Sequence, residues 1–211
     1  MPYRRKYKRR RKKAGKGTRA LAKRAFSLAK NIASSKEVKY HDIKIDTEVD
    51  WSAAGPLDLA NIAPGLADTS RIGDQIRVTS INFKWIAYRQ TSAATYIRVI
   101  VIRDHQDAIL DIGSVLQEVD TPSGFQSHYV HDVRPQYSVI FDKYFKLSDD
   151  YSNSSAQRWY KKLNFKIQYV AGSTSVISKN QIKAFAISDV SSQASAKPQL
   201  YGYMRLNYLD S

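Results

Sequence analysis

An all-β chain, a single eight-stranded jelly-roll β-sandwich preceded by a basic N-terminal arm with a short amphipathic helix, is the architecture this sequence predicts. Three observations predict it. Seven segments with strand periodicity fill the chain after residue 36, helical periodicity is all but confined to the residues before it, and long turn-rich connections separate the strands. The expected organisation is an arm over residues 1–36 and a jelly-roll domain over residues 37–211, which is long enough to bury one core.

The arm is defined by charge. The first 36 residues carry fifteen Lys and Arg and no acidic residue, so they hold the whole net charge of +15; the nineteen basic residues beyond them are matched by all nineteen acidic ones. Arg4, Arg5, Lys6, Lys8, Arg9, Arg10, Arg11, Lys12 and Lys13, with Tyr3 and Tyr7 between them, repel one another too strongly to fold alone, so residues 1–17 are expected to be disordered until a polyanion arrives. Beyond Gly15 and Gly17, Thr18 is an N-cap candidate for a helix over 18–33, with Leu21, Ala25, Leu28 and Ile32 on one stripe and Arg19, Lys23, Arg24 and Lys30 off it. Neutralising phosphates releases condensed counterions, so Arg4 to Lys13 together with Lys16, Arg19, Lys23 and Arg24 form the expected nucleic-acid-binding set. The run Lys8, Arg9, Arg10, Arg11, Lys12 and Lys13 also suits a nuclear localisation signal read by an import receptor. A membrane-surface helix and a mitochondrial presequence are further uses of such a segment.

In the body, Ile43 to Trp51 alternates Ile43, Ile45, Thr47, Val49 and Trp51 with Lys44, Asp46, Glu48 and Asp50, the pattern of a half-buried strand. Gln75 to Arg89 changes inward parity between Val78 and Ile81, which predicts a β-bulge near Ser80. Tyr96 to Arg103 is apolar on both parities except for Arg98, so it suits a strand covered on both faces. Tyr137 to Leu147, Arg158 to Val170, Gln181 to Ile187 and Leu200 to Leu209 complete seven strands. Lys161, on the inward parity of its strand, is expected near the strand end. The eighth strand is expected at Phe125 to His131 or Ser175 to Ser178, and one short helix at Ile109 to Glu118. Ser52 to Asp74 and Asp104 to Gln136 read as long loops, marked by Gly55, Pro56, Pro64, Gly65, Pro122 and Gly124.

Four segments carry a family resemblance. They are Tyr137-Ser-Val-Ile-Phe-Asp-Lys-Tyr-Phe-Lys-Leu147, the strand of Arg158 to Val170, Lys179-Asn-Gln-Ile-Lys-Ala-Phe-Ala-Ile187 and the ending Arg205-Leu-Asn-Tyr-Leu-Asp210. Together with the basic arm, their order and spacing resemble the capsid proteins of small circular single-stranded DNA viruses that encode a replication initiator (CRESS-DNA, circovirus-like). The resemblance implies a homo-oligomer of about sixty copies in a T=1 icosahedral shell, a single-stranded DNA genome as partner, and a virion location with assembly in the host nucleus. Small RNA viruses share the architecture, so RNA stays open as the packaged polymer. Arms from about sixty copies would bring on the order of 900 positive charges against one negative charge per nucleotide.

Within the body, Tyr201, Tyr203 and Arg205 share one parity of the last strand and make a candidate stacking platform for single-stranded nucleic acid, with an interface or an ordinary amphipathic strand as the plainer reading. Lys39 and His41, directly after the arm, are further candidates. Trp85 is expected in the core, and His128 and His131 on the surface. Asp104, Asp107 and Asp111, or Asp149 and Asp150, could hold calcium between subunits, although solvated loop carboxylates are commoner.

The chain has no cysteine, which excludes disulfides and thiolate chemistry. It also has no glycine-rich phosphate loop, no nucleophile elbow and no closely spaced His and Glu set for a cupin-like metal site. Neither an enzyme activity nor a cofactor is expected. A cellular nucleic-acid-binding protein of ribosomal or chromatin type, with a basic N-terminal extension, is the alternative function.

Overall fold

The computed structural model describes residues 21–27, 37–89, 95–106, 109, 111–147, 154–173 and 176–210. The chain divides into two units, Met1–Glu37 and Val38–Ser211. In the first, residues 21–27 are helical and exposed throughout, with Leu21 and Phe26 open to solvent. The rest of the expected helix, including Thr18, Leu28 and Ile32, lies outside the described residues.

The second unit contains nine strands: β1 (Lys39–Glu48), β2 (Ala54–Asp58), β3 (Gln75–Tyr88), β4 (Thr95–Asp104), β5 (Tyr137–Leu147), β6 (Ser154–Tyr169), β7 (Ile177–Lys179), β8 (Gln181–Ser188) and β9 (Gln199–Asp210). They form two antiparallel sheets, ordered β1-β9-β3-β6-β7 and β2-β8-β4-β5. With the three-residue β7 set aside, β1 pairs β9, β2 pairs β8, β3 pairs β6 and β4 pairs β5. These nested pairs wind eight strands into the two-sheet jelly roll that the sequence predicts. The parity change in β3 is a register shift between Val78 and Ser80 against both neighbours, at the expected bulge.

Four expectations need correction. The missing jelly-roll strand is β2, inside the stretch read as the loop Ser52 to Asp74. Its Gly55-Pro56 pair reads as a turn, yet β2 is an edge strand, where a proline need not donate to the ladder. At Gly55 a side chain would meet the Ala184 carbonyl at 2.7 Å, so only glycine allows this approach to β8. Phe125 to His131 instead holds part of a 3-10 turn, Gly124–Gln126, and an isolated bridge from Tyr129 to Leu116, while Ile177–Lys179 is a ninth strand overlapping the other candidate. Among its described residues Ile109 to Glu118 forms a 3-10 turn, Ile112–Ser114, which Asp111 caps at its start; it goes no further because Leu116 bridges to Tyr129 and the Gln117 amide donates to the His128 carbonyl. Lys161 sits in the middle of β6, and its ammonium reaches the Ile140 carbonyl at 2.9 Å instead of entering the core.

The core between the sheets is rich in aromatics. Phe83, Trp85, Phe141 and Trp159 pack with ring centroids 4.5 to 5.8 Å apart, and Trp85 is buried as expected. A second apolar layer lies on the other face of the four-stranded sheet. There Ile100, Ile102, Phe185 and Ile187 are covered by Ile109, Ile112, Val115, Leu116 and Phe125 from the segment between β4 and β5. This covering explains why β4 and β8 are apolar on both parities.

Arg98 fastens the cover. It is almost fully buried, pairs with both carboxylate oxygens of Asp142 at 2.8 and 2.9 Å, and donates to the Phe125 and Ser127 carbonyls at 3.1 and 2.8 Å. Tyr129 donates its hydroxyl to the same carboxylate. Burial works against the Asp142 charge, but the hydrogen bonds from Arg98 and Tyr129 outweigh it and hold the carboxyl below its ordinary range. A carboxyl held lower in the folded than in the unfolded state stabilises fully above about pH 4, and this stability is lost as pH falls through the depressed folded value. Asp142→Asn leaves the Arg98 guanidinium without its counter-charge and is expected to cost about 3 kcal/mol. Melting curves between about pH 6 and about pH 3 should show a lower melting temperature for the variant and a weaker decline on acidification than in the parent.

Candidate nucleic-acid interface

The five-stranded sheet has no counterpart to this cover among the described residues. Most outer positions of its strands are polar, charged or tyrosine, with Ile86, Ala156 and Leu209 as apolar exceptions, and the register sets them in rows across the sheet. One row runs Lys44, Tyr203, Lys84 and Arg158 over β1, β9, β3 and β6. The next runs Asp46, Tyr201, Ile86 and Ala156, and on the other side lies Asp42, Arg205, Asn82 and Tyr160. Between the first two rows is a groove of about 640 Å³, bordered by Tyr201, Tyr203, Lys84 and Arg158. Gly202 forms its floor. A side chain there would run into the Lys84 carbonyl and come within 2.6 Å of the Trp85 Cα, so glycine is what lets β9 and β3 lie this close.

Charge is polarised across this face. The β1 edge carries Asp42, Asp46 and Glu48, whereas the outer positions of β3 and β6 carry Arg77, Lys84, Arg158, Lys162 and Lys166, all exposed. Lys44 pairs with Asp46 at 2.9 Å, which raises its pKa, and Arg205 pairs with Asp42 at 2.6 Å. Among the described residues, none of the five basic side chains on β3 and β6 has a carboxylate in ion-pair range. Lys84 and Arg158 stand directly opposite each other, an arrangement that costs stability in an isolated sheet.

The structure sorts the residues that the sequence singles out. Arg4 to Lys13, Lys16 and Arg19 lie outside the described residues; Lys23 and Arg24 are exposed on the 21–27 helix. Tyr203 is 61% exposed on the open face. Tyr201 is half-buried, its ring edge-on to Tyr88 at 5.7 Å and its hydroxyl donated to Gln199. Arg205 belongs to the same face, but its guanidinium is held by Asp42 and lies over the Tyr40 ring at 4.4 Å. The structure does not bring Lys39 to this surface: it is buried, donates to the Ser70 carbonyl and pairs with Asp210, both at 3.0 Å. His41 is on the inward parity of β1, and burial lowers its pKa against the opposing effect of Asp42, so it adds no positive charge near neutral pH.

Lys84, Arg158, Lys162 and Lys166 are the candidates that sequence reasoning leaves among ordinary outward positions. A signal is present: residues 151–188 contain six basic residues and no acidic one, a segment hidden by the neutrality of the body as a whole. The acidic series does not assemble. Asp104 is spent on Lys183 and the Ile109 amide, Asp111 caps Ser114, and Asp107, Asp149 and Asp150 lie outside the described residues. No cluster of three or more His, Asp or Glu side chains suited to a metal occurs among the described residues, and His128 and His131 are exposed.

No protein-family model matches the chain, and no curated protein does. Solved structures that it resembles include a chain of Desmodium yellow mottle tymovirus, at 10% identity and TM-score 0.38 over 82% of this chain and 87% of that one. A chain of the Israeli acute paralysis virus full particle aligns at 9% identity and TM-score 0.31, covering 98% and 83%. Dimeric latent PorU of Porphyromonas gingivalis aligns at 12% identity and TM-score 0.31, covering 83% of this chain and 13% of that one. Likenesses this weak carry no argument about function.

The like-charge pair makes a stability prediction. Arg158→Gln removes the repulsion with Lys84, worth about 0.2–1 kcal/mol for a directly opposed pair. The melting temperature should rise by about 1–3 °C at low salt, and the gain should shrink at about 0.5 M salt, where exposed charges are screened.

Proposed function

We propose that the chain is a coat protein of a circular single-stranded DNA virus of the CRESS-DNA kind, with residues 37–211 building the shell and the basic arm packaging the genome. The observation that carries this reading is the separation of charge: the whole net charge of +15 precedes residue 37, and the jelly roll beyond it is formally neutral. Neutral bodies can approach one another without large mutual repulsion, while arms that release counterions from phosphates bind any sequence. A T=1 shell of about sixty copies is the smallest closed icosahedral solution for identical subunits. The location is the virion, with Lys8 to Lys13 directing the chain to the host nucleus for assembly. A cellular nucleic-acid-binding protein would instead remain a monomer or a dimer.

Size-exclusion chromatography of recombinant protein, with absorbance at 260 and 280 nm and negative-stain electron microscopy of the peak, tests this reading. Uniform closed particles rich in nucleic acid are expected, with packaging that weakens steeply as salt rises. A soluble monomer or dimer that forms no shell, even with single-stranded DNA or RNA at low salt, contradicts it.

A further inference from the structure

We propose that the groove over Gly202 is a base-stacking subsite for single-stranded nucleic acid, so that the body holds unpaired strand in addition to what the arm neutralises. This rests on the nucleic-acid-packaging reading above and adds to it a place and a polymer form.

Three features of the groove select such an occupant. It offers aromatic faces: Tyr203 stands more than half exposed on one side and Tyr201, beside Ile86, on the other, above a floor lowered by Gly202 and by the small side chain of Ala156. Its border is cationic, and the two cations on its β3 and β6 side, Lys84 and Arg158, are opposed to each other without a carboxylate partner among the described residues. A polyanion supplies the missing charge, which makes the like-charge pair a cost only in the empty state. The cations also continue away from the groove. Arg158, Lys162 and Lys166 occupy outward positions of β6, with exposed Tyr160 between the first two and Asn164 between the last two.

Successive outward residues on a strand repeat every ~6.8 Å, a length comparable to one extended nucleotide. A backbone running along β6 would meet Lys162 and Lys166 through its phosphates and lay a base into the groove beside Tyr203. Bases are free to do this only when unpaired, since in a duplex their faces are already stacked. On the β1 side the cations Lys44 and Arg205 are held by Asp46 and Asp42 and Glu48 adds negative charge, so the half of the face formed by β3 and β6 is the one that favours a polyanion.

The test uses the full chain and a thymidine oligonucleotide carrying 5-iodouracil, irradiated at about 0.5 M salt so that arm contacts are screened. Crosslinked peptides are mapped by mass spectrometry, and binding of the same oligonucleotide is measured for Tyr203 variants. Crosslinks to Tyr203 or Tyr201, competed by unlabelled single strand and not by duplex of the same length, are expected. Tyr203→Leu should weaken binding by about 5- to 150-fold, and Tyr203→Phe should retain it, because the ring and not the hydroxyl or general apolarity does the stacking. Tyr203 is exposed, so these variants leave the core untouched. Crosslinks confined to residues 1–36, with Tyr203→Leu unchanged, overturn the subsite and leave packaging by the arm standing. No crosslink and no binding anywhere at any salt overturns both. Protection of Tyr203 that is identical in empty and filled particles assigns the groove to a neighbouring copy and also overturns the subsite.

Discussion

A buried guanidinium decides which surfaces this sandwich can leave bare. Arg98 interrupts the apolar run Ile97 to Ile102 of its strand, and it is 3% exposed. Its charge is tolerable there only because Asp142 on the adjacent strand and two carbonyls of the 105–136 segment complete its hydrogen bonds. Those carbonyls tie the segment down over Ile100, Ile102, Phe185 and Ile187, turning the outer face of the four-stranded sheet into a second core. Arg71 does a similar service at the end of the other sheet, where it bonds to carbonyls of Ile62 and Ser173 and lies 4.0 Å over the Tyr169 ring. With one sheet covered, the outer face of the β1-β9-β3-β6 layer is, among the described residues, the broad regular surface left for a partner.

That face breaks a local rule that the rest of the fold obeys. Asp42 and Arg205 on this face are complementary, whereas Lys84 confronts Arg158 and Arg77 confronts Lys166. Departures of this kind gather at functional sites, where stability is given up for binding. The uncompensated charge on β3 and β6 has the same sign as the arm, so a polyanion answers both in the proposed assembly. The two contributions differ in kind. Arm charge binds through counterion release and fades with salt, while tyrosine faces act through stacking that persists when charge is screened.

Much of the fold is legible in the sequence because its signals are local. Alternation in β1, β5, β6 and β9 is fixed by one buried face, and the bulge in β3 shows as a change of parity between Val78 and Ile81. β2 is not legible. Its Gly55-Pro56 pair is a turn signal by itself, and only pairing with β8 makes it a strand. The 109–118 segment reads as helical because it packs an apolar side against a sheet, and that packing needs no helix. In the interface, Tyr201 and Tyr203 are visible as a pair on one parity. Lys39 is misplaced for lack of Asp210 and the Ser70 carbonyl, partners 31 and more residues away in sequence. Lys84 and Arg158 meet across strands whose register no single segment encodes.

The division of labour between arm and body is tested most directly by a full-length chain in which the nine basic residues from Arg4 to Lys13 are replaced by Gln, purified beside the parent. Electron microscopy and the ratio of absorbance at 260 and 280 nm report assembly and nucleic-acid load separately. The account predicts closed particles of parental size with a strongly reduced load. Particles that retain the full load, or a chain that no longer assembles at all, would contradict it.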